Sequence, residues 1–234
     1  MMVFENSDYL FYAAGKTGTR TLYTIPDIVD VTVHEEFYSP LRERSLMCLD
    51  ERKELTGKQI VAIIREPWSR MYSGLYEIIV KLVAGPFIEE MIEQNADVSF
   101  IENASIWSRM FERCIKMSPR QWIPDQEMDS HRWQFHIGNW LTDIEMLAEK
   151  YPDTIILDLS DLSRFLDENS IKYEHKNKMT DFLGDETLSK NCFEAFKCAI
   201  ANSGYQRRKQ IFDYLLPEVD CYKRLNSKRY YGMT

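Results

Sequence analysis

Cysteine is sparse in this chain of 234 residues: Cys48, Cys114, Cys192, Cys198 and Cys221 form no CxxC pair and no regular ladder. That pattern excludes a disulfide scaffold and a zinc knuckle, and it suits a reducing compartment. Glycine and proline are few, and no Gly/Ser-rich or Pro-rich stretch divides the chain, which points to a single domain over residues 1–234. No run of apolar residues approaches membrane-spanning length, and the start, with Glu5 and Asp8, lacks the basic-then-apolar order of an export signal. A surplus of positive charge is missing too. The net charge of −8 argues against a general nucleic-acid surface, because backbone phosphates need a broad basic face. Any anion is therefore bound by local cations.

What the chain does have is hydrophobic content, 44% of all residues, enough for a sizeable core. Residues 9–14, 29–33, 59–65 and 154–159 are short apolar runs rich in β-branched or aromatic side chains, as buried parallel strands are. Between them, residues 70–83, 104–116 and 140–150 carry apolar positions at three-to-four spacing and predict helices. The C-terminal part reads as helical from Asp161 onward, with helices over 186–202 and 206–216 and a last short one opened by Pro217. Its aromatic end, from Tyr222 to Tyr231, is expected to complete the core. The expected fold is α/β, a P-loop-like three-layer arrangement with a central parallel sheet flanked by helices and a helical C-terminal part.

Two segments each run from strand through sharp turn into helix. In the first, an apolar run meets Gly15, and Lys16 to Thr21 supply a cation, hydroxyls and the free N–H groups of a starting helix. In the second, Arg65 closes a strand, Pro67 suits the first helical position, and Ser73 follows eight positions after Arg65. Ligands of a parallel sheet sit at its carboxyl edge, where both segments end.

These segments resemble the two signatures of sulfotransferases that use 3'-phosphoadenosine 5'-phosphosulfate (PAPS). Lys16-Thr17-Gly18-Thr19-Arg20 is similar to the loop that binds the 5'-phosphosulfate, with the Gly-Thr-Arg form seen in heparan-type carbohydrate enzymes. Arg65 and Ser73 match the pair that binds the 3'-phosphate. His175-Lys-Asn-Lys178 resembles the His-x-Asn-Lys stretch of several carbohydrate sulfotransferases. The resemblance implies a donor site of Gly15, Lys16, Thr17, Gly18, Thr19, Arg20, Thr21, Arg65 and Ser73, no metal, and release of 3'-phosphoadenosine 5'-phosphate (PAP). It implies a hydroxyl or amine acceptor, with carbohydrate favoured.

Lys16 is the expected catalytic cation, placed to offset charge growing on the leaving phosphate. The base is left among His34, Glu35 and Glu36, which follow the second expected strand, and His131, with His34 and Glu35 put first. The stretch 129–138 looks like the His-Trp-x-Pro-Gln stretch of chondroitin-type enzymes without its proline, and it offers His131 and Gln134 as acceptor contacts within or beside an irregular loop at 118–134. Arg70, three residues before Ser73 on the same helix face, reads equally as an exposed helical arginine or as a ligand, and is left out of the site. Golgi members of the family usually carry an N-terminal anchor, so the chain is either a cytoplasmic enzyme of bacterial or viral type or a trimmed catalytic domain.

Two other readings stay open. A P-loop kinase or NTPase would need Gly-x-x-x-x-Gly-Lys-(Ser/Thr), whereas Lys16 precedes Gly18, and no magnesium-binding Asp clearly ends a later strand. A non-catalytic nucleotide- or glycan-binding protein of the same fold is the second, because Arg20 replaces the commoner Thr and the sequence fixes no base.

Overall fold

The computed structural model describes residues 2–14, 17–31, 41–80, 97–117, 140–174 and 186–228, together with residues 88, 90, 91 and 94. Contacts divide the chain into two compact units, one of residues 1–70, 138–176 and 217–234, the other of residues 71–137 and 177–216.

The first unit is built on a five-stranded sheet of order β3-β1-β2-β4-β5. Its strands are β1 (Met2–Glu5), β2 (Tyr9–Ala13), β3 (Val29–Asp30), β4 (Gln59–Ile64) and β5 (Ile155–Asp158). β2, β4 and β5 are parallel neighbours, while β1 is antiparallel to both β2 and β3. The sheet is thus mixed, which corrects the expected all-parallel sheet. The first strand went unread because only Val3 and Phe4 of it are buried and a polar run follows. That run is a hairpin turn: Asn6 Oδ1 accepts the N–H groups of Asp8 at 3.0 Å and Tyr9 at 2.8 Å.

Helices cover both faces. Among the described residues the elements are α1 (Thr19–Leu22), α2 (Leu41–Thr56), α3 (Pro67–Ile79), α4 (Ala104–Met117), α5 (Leu141–Lys150), α6 (Leu162–Glu168), α7 (Glu186–Ala201) and α8 (Tyr205–Asn226). On one face Leu10, Tyr12, Ile60, Ala62, Ile64 and Ile156 pack against Leu49 of α2, Ile144 of α5 and Leu225 of α8. On the other, Phe11, Ala13, Val61, Ile63 and Leu157 pack against Leu22 of α1 and Leu162 and Phe165 of α6. Alternation along each strand sends neighbours to opposite faces, so a continuous apolar run is what a doubly covered strand needs.

Two expectations about helices are corrected. Pro217 lies inside α8 rather than opening a new helix. A proline removes one backbone hydrogen bond, and here helix-forming neighbours on both sides carry the helix through it. α2 gave no periodic signal because it is charged on most of its circumference, although Cys48 and Leu49 are buried.

In the second unit, α4 and α7 enclose Trp107, whose indole N–H donates to the Ile101 carbonyl at 2.6 Å. Tyr76, Phe193 and Phe196 complete that aromatic core. Among the described residues no helix is long and apolar enough to cross a membrane.

Candidate functional site

Register brings the two strand-turn-helix segments to one edge of the sheet. Ala13 of β2 pairs with Ile63 of β4, and Ile64 of β4 pairs with Asp158 of β5. The chain leaves all three parallel strands on the same side, so Ala14 with residues 17–21, Arg65 and Asp158 all follow strand ends at that edge.

In the first corner, Thr17 closes the turn. Its N–H and its hydroxyl both donate to the Ala14 carbonyl, at 3.2 and 2.7 Å, and its side chain is buried. That hydroxyl proton is engaged by the loop itself, so Thr17 shapes the corner. Gly15 and Lys16 lie outside the described residues. Gly18 precedes α1 with φ of 83°, a left-handed value that favours glycine. Close packing demands glycine as well: a Cβ there would sit 2.7 Å from Leu162 Cδ2 and 2.8 Å from Leu159 Cδ1. Gly18 supplies no side chain to cap α1, and the first turn has no acidic residue. Thr19 and Arg20 at that turn are half-buried, and Thr21 is buried.

In the second corner, Glu66 caps α3. Its two carboxylate oxygens accept the N–H groups of Trp68 at 3.0 Å and Ser69 at 2.7 Å, and Pro67 takes the first helical position as the sequence predicts. Arg65 is partly buried. Burial pulls its guanidinium below the ordinary arginine range, the nearby Arg70 adds to that, and Glu66 and Asp158 act the other way.

Arg70 is buried at 3% exposure, so of the two readings left open for it the exposed helical arginine does not hold. Its Nη2 lies 3.6 Å from Oε2 of Glu218 on α8, and Glu218 Oε1 accepts the Leu141 N–H at 2.9 Å, so one buried carboxylate both faces Arg70 and caps α5.

Asp158 also departs from expectation: an acid does end a later strand. Its side chain is buried, Oδ1 accepts the N–H and hydroxyl of Ser160 at 2.9 and 2.7 Å, and Oδ2 accepts the Tyr222 hydroxyl at 2.7 Å. Three donors thus surround the carboxylate. Among the described residues no group of three His, Cys, Asp or Glu side chains stands where it could hold a metal ion.

Ser73 is half-buried on α3, within the second unit. His34, Glu35, Glu36, His131, Gln134 and the stretch from His175 to Lys178 all lie outside the described residues. The chain leading to His175 is tied down at Glu174, whose N–H donates to Thr24 Oγ1 at 2.8 Å while that hydroxyl donates back to the Glu174 carbonyl at 3.0 Å. Of the basic run Arg207-Arg208-Lys209, Arg207 pairs with Glu112 over the Phe111 ring, Arg208 donates to the Ala201 carbonyl and Lys209 pairs with Asp213.

Asp158, Glu218 and Tyr222 are the charged and polar groups near this edge that sequence reading missed, and Arg70 is one that it left out. For Asp158 a signal existed, a lone charge closing the apolar run Ile155-Ile156-Leu157. For Glu218 and Tyr222 none did, because only tertiary packing brings α8 to this edge. Comparison with family models, with curated proteins and with solved structures finds no match to the chain.

Proposed function

We propose that this chain is a sulfotransferase that moves a sulfuryl group from PAPS to an acceptor hydroxyl or amine, carbohydrate being the favoured acceptor class. The donor supplies an activated sulfuryl group on a phosphate leaving group. One observation carries the reading: a glycine-turned loop and a desolvated arginine follow adjacent parallel strands in register, Ala13 with Ile63. In this reading Lys16 and the amides at the start of α1 take the 5' end of the donor, and Arg65, with Ser73, takes the 3'-phosphate. Lys16 offsets negative charge on the departing phosphate oxygen, and the acceptor proton passes to a base among His34, Glu35, Glu36 and His131.

A kinase or NTPase reading gains one point from Asp158, an acid at the end of a parallel strand. It loses more, because three donors from Ser160 and Tyr222 already surround that carboxylate, and a magnesium ion would have to compete with them. Calorimetric titration with PAP, and separately with ATP and Mg²⁺, tests the assignment. Binding of PAP in preference to ATP is expected; preference for ATP would overturn the donor assignment.

A further inference from the structure

We propose that the stretch 158–174 is the support of the donor loop, and that Asp158 and Thr24 are positioning residues that lock its two ends against α1 and so set recognition of the donor's 5' end. The inference rests on the sulfotransferase reading for its ligand. Every group it uses belongs to the first unit.

α1 has little to hold it in place by itself. It is four residues long, Gly18 gives it no side-chain cap, and its first turn carries no acidic residue. One helical turn fixes several backbone angles for few hydrogen bonds, so its stability has to come from packing. The stretch 158–174 supplies that packing before and after α1.

The contact before α1 is at Gly18. A Cβ there would stand 2.7 Å from Leu162 Cδ2 and 2.8 Å from Leu159 Cδ1, so these two side chains form the wall on which the loop backbone rests. Leu159 opens the turn Leu159–Asp161, Leu162 follows it, and Asp158 caps it: Oδ1 accepts the N–H and the hydroxyl of Ser160 at 2.9 and 2.7 Å. Oδ2 accepts the Tyr222 hydroxyl at 2.7 Å, which anchors the cap to α8. Asp158, in register with Ile64, lies on the sheet face covered by α8, whereas both leucines pack on the opposite face. The capped backbone therefore carries the constraint around the edge of the sheet to Gly18.

The contact after α1 is at Thr24. Its Oγ1 accepts the Glu174 N–H at 2.8 Å and lies 2.7 Å from the Thr21 carbonyl and 3.0 Å from the Glu174 carbonyl, so one hydroxyl joins the last turn of α1 to the end of the stretch. Between the two contacts, Leu22 and Ile25 share a core cluster with Leu162, Phe165 and Leu166. The chain leaves α6 through Ser170, whose φ of 56° is left-handed, and Ile171 and Tyr173 pack on the same cluster just before Glu174. One continuous piece of chain thus grips α1 from both ends. A loop backbone fixed before the ligand arrives is preorganised for an oxyanion, and neither Asp158 nor Thr24 need touch the nucleotide.

The test uses the full chain with PAP and adenosine 3'-phosphate as probes, which differ in the 5'-phosphate. Thr24→Val and Asp158→Ala remove the hydrogen bonds, whereas Thr24→Ser keeps the hydroxyl and Asp158→Asn keeps a capping oxygen. The preference for PAP, taken as the ratio of the two dissociation constants, is expected to fall about threefold in each of the first pair, the scale of one neutral hydrogen bond or cap, and to hold in the second pair. An unchanged or raised preference in Thr24→Val or in Asp158→Ala overturns the proposal. A fall of the same size in Thr24→Ser and Asp158→Asn also overturns it, because the hydrogen bonds would then not be the cause.

The second readout needs no nucleotide. The N–H groups of Leu22 and Tyr23 donate to the carbonyls of Gly18 and Thr19, each at 3.1 Å, and their hydrogen exchange reports the opening of α1. Measured against the amides of β4, which report opening of the sheet, exchange at Leu22 and Tyr23 is expected to quicken in Thr24→Val and Asp158→Ala and not in Thr24→Ser and Asp158→Asn. Unchanged relative exchange in either of the first pair overturns the proposal. Should Asp158→Ala fail to fold, the two Thr24 variants decide by both measurements. If the wild-type chain fails to prefer PAP over adenosine 3'-phosphate, the sulfotransferase reading falls, and exchange alone decides whether the stretch holds α1.

Discussion

Arg70 and Glu218 face each other at 3.6 Å with both side chains withdrawn from water, 3% and 1% exposed. A buried ion pair adds little to stability relative to an apolar pair, yet removing one partner strands the other charge. Glu218→Ala is therefore expected to lower unfolding free energy by about 3–5 kcal/mol. The double replacement of Arg70 by Met and Glu218 by Gln, which keeps an acceptor for the Leu141 N–H, is expected to lower it by less. Urea titration of the single and double variants measures both, and a loss below about 1 kcal/mol in Glu218→Ala would mean that the pair is solvated.

Gly18 and Gly57 both have positive φ, 83° and 65°, but only Gly18 is enclosed. Gly57→Ala meets no atom within 4 Å, so it carries the left-handed strain alone, about 1–2 kcal/mol. Gly18→Ala adds contacts of 2.7 and 2.8 Å with Leu162 and Leu159, and is expected to lower the melting temperature further and to weaken PAP binding, which Gly57→Ala leaves intact. Thermal melts and titrations of the two variants side by side check this, and equal effects would contradict the packing described for the loop.

In the proposed reaction the two cations have separable roles. Lys16→Ala is expected to lower kcat by roughly 10²–10³ with the fold retained, the range for removing one group that meets developing charge. Arg65→Ala is expected to weaken PAP far more than 5'-AMP. Turnover unaffected by loss of Lys16, or equal weakening of both nucleotides by loss of Arg65, would remove these assignments.

Glu145 is held below the ordinary carboxylate range chiefly by two bonds from Arg224, at 2.6 and 2.8 Å. A depressed carboxyl contributes stability above its unfolded pKa and loses it as pH falls through the folded one. The stability difference between the wild type and Arg224→Ala is thus expected to be full at neutral pH and to shrink as pH falls below about 4. Denaturant midpoints across pH 2–7 measure it, and a difference independent of pH would assign the effect to packing of the arginine stem instead.

The strands β2, β4 and β5 were legible because each is buried on both sides and therefore continuously apolar. The start of α3 was legible from Pro67, whose ring fixes φ, whereas the left-handed conformation at Gly18 was not read, the sharp turn being expected at Gly15. β1 was hidden because a four-residue strand beside a polar turn carries too few apolar positions to show a period. The burial of Arg70 was not legible for a related reason: the carboxylate that permits it lies 148 positions away at Glu218 (218 − 70). Asp158 could be seen as an odd charge, but its three donors come from a turn and from a helix that no local pattern links to it.

The antiparallel placement of β1 has a bearing on the order in which the molecule assembles. A hairpin between Met2–Glu5 and Tyr9–Ala13 joins near neighbours in the chain and forms on the order of 1–10 μs. Pairing of β2 with β4 requires closure across the whole segment from Tyr9 to Gln59, an entropic cost met only when the later strand and its helix are in place. The strand that leads toward Gly18 is accordingly anchored at the outset, while Arg65, at the end of β4, arrives with the slower, long-range collapse.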